Sequence, residues 1–128
     1  MKYIAKPKPL TLGAGQFGLD ELLEYLVATD RRFNESGAGI RAGIRIEDSV
    51  KLYKKHAYLV LEPAHYALLA QAAEEPTGGY PKAVGQLPDG QRIERYLSRD
   101  LLPFLDAIRD AKDELPANLA HADESAVS

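Results

Sequence analysis

The sequence predicts a helix-dominated α+β fold: four or five helices packed on a small antiparallel sheet, formed by an N-terminal hairpin and a strand at 57–61. Three observations carry this. Apolar residues recur at helical spacing through 20–29, 40–53, 63–75 and 98–114. One short run, Ala57-Tyr58-Leu59-Val60-Leu61, has the apolar, aromatic and β-branched content of a strand. Prolines and glycines break the first 19 residues into extended pieces. With 128 residues, 45% hydrophobic and 27% charged, the chain has the length and composition of one globular domain. That domain is expected over 1–115, with a disordered tail at 116–128 where residues turn small and polar.

Residues 2–12 read as extended because Pro7 and Pro9 hold the residues before them out of the helical region. Leu10-Thr11-Leu12 alternates, Gly13-Ala14-Gly15 can turn, and Gln16–Leu19 returns as the second arm of a hairpin. Asp20 is expected to cap a helix to Thr29, with Leu22, Leu23, Leu26 and Val27 inward. Glu21 and Glu24 lie in its first turn, where the helix dipole favours them. Asp30–Gly39 is a polar, glycine-containing break. Segment 40–46 fits two patterns. Alternation puts Ile40, Ala42, Ile44 and Ile46 on one strand face, whereas helical spacing links Ile40, Gly43, Ile46, Val50 and Tyr53 inward. Helix is favoured, because its pattern persists to Tyr53 and the alternation stops at Glu47.

Beyond the strand at 57–61, Pro63 suits the first turn of a helix to about Glu75. Pro76–Pro81 is a loop. Residues 82–90 read as irregular, ending at the turn Pro88-Asp89-Gly90, and 91–97 as a short helix. Ser98 is expected to cap a last helix to about Glu114, with Leu101, Leu102, Leu105 and Ile108 inward and Pro103 near its start.

A net charge of −3 argues against general nucleic-acid binding. Absent cysteine removes disulfides, thiolate metal sites and cysteine nucleophiles together. No run approaches the ~18 apolar residues of a membrane span, and the N-terminus lacks the apolar centre of a signal peptide. The chain is therefore expected to be soluble and cytoplasmic, without membrane or nucleic-acid partners. Its charge is uneven. Residues 30–56 hold seven Lys/Arg against four acids, and 99–128 hold three against seven. Such asymmetry can orient a partner or a second copy.

The sharpest motif is Gly13-Ala14-Gly15-Gln16-Phe17-Gly18. It matches the G-x-G-x-x-G turn whose amides approach a pyrophosphate at a helix start. Its surroundings speak against that chemistry. Lys6-Pro7-Lys8-Pro9 is no buried parallel strand, Asp20 and Glu21 would repel a phosphate, and the ribose-binding acid expected about 20 residues on falls in the Ser36–Gly39 loop. Gly37-Ala38-Gly39 with Arg41 and Arg45 could hold an anion but lacks a P-loop ending. His56, His65 and His121 have no metal-ligand spacing. Glu74-Glu75 and Asp113-Glu114 are adjacent and point apart on a helix. No catalytic residue, metal or cofactor is expected. The residues expected to touch a protein partner are Arg31, Arg32, Phe33, Arg41, Arg45 and Tyr80, the last because it sits in a glycine–proline loop.

The segment Phe33-Asn34-Glu35-Ser36-Gly37-Ala38-Gly39-Ile40-Arg41-Ala42-Gly43, with Ile46-Glu47 and Gly79-Tyr80-Pro81, resembles small uncharacterised proteins encoded among the structural and assembly genes of tailed bacteriophages and prophages. The resemblance spans roughly residues 10–110. It implies a non-enzymatic interaction or assembly role, such as a tail-assembly chaperone or minor virion component, and carries over no catalytic residue. Two alternatives stand beside it: a nucleotide-binding domain using Gly13, Gly15 and Gly18, and an inhibitor of a host protein. A nucleotide at about 100 times its Kd adds about 2.7 kcal/mol of stability. The interaction reading therefore expects no thermal shift with NAD, NADP, FAD or ATP, and a clear shift with any of them would favour the glycine turn.

Overall fold

The computed structural model of the chain describes residues 1–12, 15–86, 89–115 and 117. Its elements are β1 (Lys2–Ala5), β2 (Leu10–Leu12), β3 (Gly15–Phe17), α1 (Leu19–Thr29), a 3₁₀ turn (Arg31–Phe33), α2 (Gly37–Leu52), β4 (Tyr58–Leu61), α3 (Pro63–Glu74), β5 (Lys82–Gln86), β6 (Arg92–Tyr96) and α4 (Leu102–Arg109). This is the helix-dominated α+β class that the sequence predicts. The tail at 116–128 lies, residue 117 aside, outside the described residues, as do Gly13 and Ala14 of the first turn and Pro88 of the second.

Strand pairing differs from expectation in detail. β4 pairs antiparallel with β1, Lys2 opposite Leu61 and Ala5 opposite Tyr58. The β2–β3 hairpin forms as read, Leu10 opposite Phe17, but stands as its own ladder. Pro7 and Pro9, lacking N–H donors, end the first ladder before the hairpin begins. The other edge of β1 is closed by Lys112: the Tyr3 N–H donates to the Lys112 carbonyl at 2.7 Å, and the Lys112 N–H returns to Tyr3 at 2.9 Å. A third ladder, β5 with β6, replaces the irregular stretch and short helix expected over 82–97. The turn there was visible, and Gly90 adopts the positive φ of 90° that favours glycine. Its arms are too polar to show strand alternation.

Helix ends are set by local chemistry. Gly18, not Asp20, precedes α1, and its N–H donates to Glu21 Oε2 at 2.9 Å. Ser36 caps α2, its hydroxyl accepting from the Gly39 N–H at 3.0 Å, so the helix starts at Gly37 rather than 40. α4 is shorter than expected at both ends. A turn at 98–101 leads into it, and it stops at Arg109 because Lys112 is committed to β1. Ile4, Leu59 and Leu61 from the β1–β4 ladder join Leu22, Leu26, Ile46, Leu69, Phe104 and Ile108 in a core drawn from all four helices.

α2 approaches its neighbours through small residues. A Cβ on Gly39 would lie 1.8 Å from the Arg32 carbonyl oxygen. One on Gly43 would lie 3.0 Å from Val27 Cγ1 and 3.3 Å from Phe33 Cβ. The inward stripe is therefore Gly39, Ala42, Gly43, Ile46 and Val50. Ile40, expected to face inward, turns outward instead. Propensity alone favours Ala over Gly in a helix by about 1 kcal/mol. Here Gly39→Ala should destabilise by about 2 kcal/mol, because a backbone carbonyl must move. Gly37→Ala, whose Cβ meets only Arg41 Nη1 at 3.7 Å, should be neutral or stabilising by about 0.5 kcal/mol. Urea denaturation of both variants checks the opposite signs.

Candidate interaction site

Where α1 ends, the chain must satisfy orphan carbonyls and turn sharply. Asp30 organises that corner. It is fully buried. Its carboxylate accepts from the Arg32 N–H at 2.9 Å, the Thr77 N–H at 2.9 Å and Arg32 Nη1 at 3.0 and 3.2 Å. Burial pushes the carboxyl up, but the Thr77 and Arg32 amides and the guanidinium outweigh it and hold the group below the ordinary aspartate value. Asn34 closes the helix end, its Nδ2 donating to the carbonyls of Val27 at 2.9 Å and Asp30 at 2.7 Å. The Arg31 N–H donates to Thr77 Oγ1 at 2.7 Å, which fastens the loop after α3 to the same corner.

This corner absorbs three of the six residues expected to meet a partner. Arg32 is held by Asp30 and by the Glu75 carbonyl, to which Nη1 donates at 3.1 Å. Phe33, expected at the surface, is 2% exposed and packs against α2, so it cannot serve as a contact. Tyr80 is half-buried: its hydroxyl donates to the carbonyls of Ala73 at 2.5 Å and Glu74 at 3.2 Å, capping α3. Burial and then Glu74 push that phenol up, so it remains a donor at neutral pH. Arg31 is exposed but sits 3.6 Å from Glu35.

Arg41 and Arg45 behave differently. Both project from the face of α2 opposite the glycines, and both are exposed. Beside them lie Ile40 (45% exposed), Ile44 (52%) and Leu52 (71%). Asp48 shares the face. Among the described residues, Arg41, Arg45, Glu47 and Asp48 have no ion-pair partner. At its C-terminal end the face borders a shallow groove of about 220 Å³ lined by Met1, Arg45, Leu52, Tyr53 and Val60. The isoleucines were missed in the sequence because Ile40 was assigned inward; Ile44 falls off the inward helical stripe and was the available signal.

The glycine turn is differently occupied. The described part of the motif forms β3 and the entry to α1, and the Glu21 carboxylate already accepts the Gly18 amide that a phosphate would use. Beside it, Lys6 Nζ lies 3.2 Å from Asp20 Oδ1 and donates to the Tyr53 carbonyl at 2.6 Å. Among the described residues no three His, Asp or Glu groups are placed to hold a metal ion. No described helix is long and apolar enough to cross a membrane.

Compared with known proteins, the chain matches no protein-family model, no curated protein and no solved structure.

The Asp30 corner makes a pH prediction. Its folded carboxyl value lies below the unfolded one, so its stabilisation is complete above the ordinary aspartate value and is lost as pH falls through the folded value. Unfolding free energy should fall over that acid window, and Asp30→Asn should flatten the fall. Asp30→Ala should cost about 3 kcal/mol at neutral pH, since it strands a partly buried guanidinium. Urea titrations across the pH series measure both effects.

Proposed function

We propose that this chain is a non-enzymatic interaction protein that works through the outer face of α2. The observation that carries the proposal is the exposure of Ile40 and Ile44, about one helical turn apart, interleaved with Arg41 and Arg45, which have no ion-pair partner among the described residues. Single exposed apolar residues are ordinary. Three along one row of the helix, with Leu52 completing it and Arg41, Arg45 and Asp48 interleaved, form a mixed apolar and charged contact surface. Burying one isoleucine side chain is worth roughly 1.5–3 kcal/mol.

The resemblance to phage structural and assembly proteins supports an assembly role, as a tail-assembly chaperone or minor virion component in the cytoplasm of a bacterial host. Inhibition of a host protein would use the same surface and differs only in the partner. The anion reading of Gly37–Gly39 loses ground, because Gly39 is spent on close packing and Ser36 already accepts its amide.

A photo-crosslinking residue placed at Ile44 should capture a protein partner in the producing cell. The same residue at Leu102, 55% exposed on α4, should not. Ile40→Ser/Ile44→Ser should abolish capture from a crosslinker at Leu52 while leaving the melting temperature unchanged. Equal capture at 44 and 102, or capture that survives the double substitution, would contradict the proposal.

A further inference from the structure

We propose that the outer face of α2 closes on the same face of a second copy of this chain, antiparallel, about a two-fold axis at the middle of the helix. The inference rests on the interaction reading above and names its partner. α2 runs from Gly37 to Leu52, so its midpoint falls between Ile44 and Arg45. Arg41 and Asp48 stand symmetrically about that point. They are seven positions apart, about two turns or 10.5 Å, which leaves both on one face. A two-fold axis there sets Arg41 of each copy opposite Asp48 of the other. It also sets Leu52, the most exposed of the apolar side chains, opposite Gly37, which has none. Ile44 and Arg45 lie on either side of the axis, so Ile44 of each copy sits opposite Arg45 of the other and beside the second Ile44.

The charge order along the helix selects this arrangement. Arg41 and Arg45 are like charges at i,i+4, which costs an isolated helix about 0.2–0.5 kcal/mol. Arg45 precedes Asp48 by three residues, the poorer order for pairing within a helix. The four charges also find no described partner in their own chain. A parallel pairing would set Arg41 against Arg41 and Asp48 against Asp48. An acidic helix from another protein would satisfy the arginines but repel Glu47 and Asp48. An antiparallel copy meets both signs of the Arg41–Asp48 pair at once, twice over, as an isologous interface must. The helix is about 24 Å long, so the contact is small, belonging with weak, reversible associations. Its exposed ion pairs make it salt-sensitive.

The test is sedimentation velocity on the full chain from micromolar to millimolar concentration, with circular dichroism confirming the fold of each variant. The wild type should shift with concentration from one chain mass towards two, less so at high salt. Arg41→Asp alone and Asp48→Arg alone should each weaken dimerisation by at least about tenfold, since each creates two like-charge contacts. The double swap, Arg41→Asp/Asp48→Arg, should restore it to within about threefold of wild type, because complementary charges again meet. A wild type that stays monomeric throughout, or a double swap no better than the singles, would overturn the dimer. If the chain is monomeric yet a crosslinker at Ile44 still captures another protein, only the second copy is overturned and the interaction reading stands. If a dimer forms and survives Ile40→Ser/Ile44→Ser, the α2 face itself is overturned.

Discussion

Asp30 is a fully buried carboxylate, and removing such a group from water costs several kcal/mol unless donors replace the lost hydration. Two backbone amides and one guanidinium replace it here. Meeting that requirement dictates the path of the chain. It forces the 3₁₀ turn at Arg31–Phe33, brings the Thr77 loop to the end of α1, and fixes the Arg32 carbonyl and the Phe33 ring in place. α2 must then pack on that carbonyl and ring. It can do so only where it carries no side chain, at Gly39 and Gly43. The rotation of α2 follows from this close approach. Once the glycine side is inward, Ile40, Arg41, Ile44 and Arg45 are carried to the solvent side, where the candidate contact surface lies.

Much of this fold was legible in the sequence, and the failures share a physical cause. Apolar stripes marked α1 and α3, and the strand at 58–61 was plain from its composition. Pro63 marked the start of α3, whereas the Ser36 cap of α2 lay inside what the sequence read as a break. What could not be read was any interaction between distant residues. Asp30 looked like a helix-ending break, because its partner Thr77 is far away in sequence. The glycines at 37–39 looked like a loop for an anion, because the carbonyl that demands Gly39 belongs to another element. The same blindness put Ile40 inward and joined the N-terminal hairpin to β4, when β4 pairs with β1 and Lys112 closes the other edge of β1. The β5–β6 hairpin escaped because its backbone ladder does not need apolar alternation in its arms.

Of the candidate contact residues, Arg41 and Arg45 have no ion-pair partner among the described residues, because they sit on the far side of the helix from Gly39 and Gly43. Arg32, Phe33 and Tyr80 were drawn into structural work: a buried ion pair, a core contact and a helix cap. An arginine or aromatic residue in a polar segment thus has two uses, and only burial and partners separate them. α2 divides the two uses between its faces. One face is small and close-packed and holds the fold together. The other interleaves apolar and charged side chains, and its charges have no ion-pair partner among the described residues.

The central claim is that the outer face of α2 is the contact surface and that it closes on a second copy of the chain. A dilution series of backbone amide NMR spectra tests it most directly, because it reports every residue at once. The account predicts that concentration-dependent shifts concentrate in residues 37–52, strongest around Ile44, while the Asp30–Thr77 corner and the β1–β4 ladder stay still. Shifts centred instead on α4 or the β5–β6 hairpin, with residues 37–52 unmoved, would contradict it.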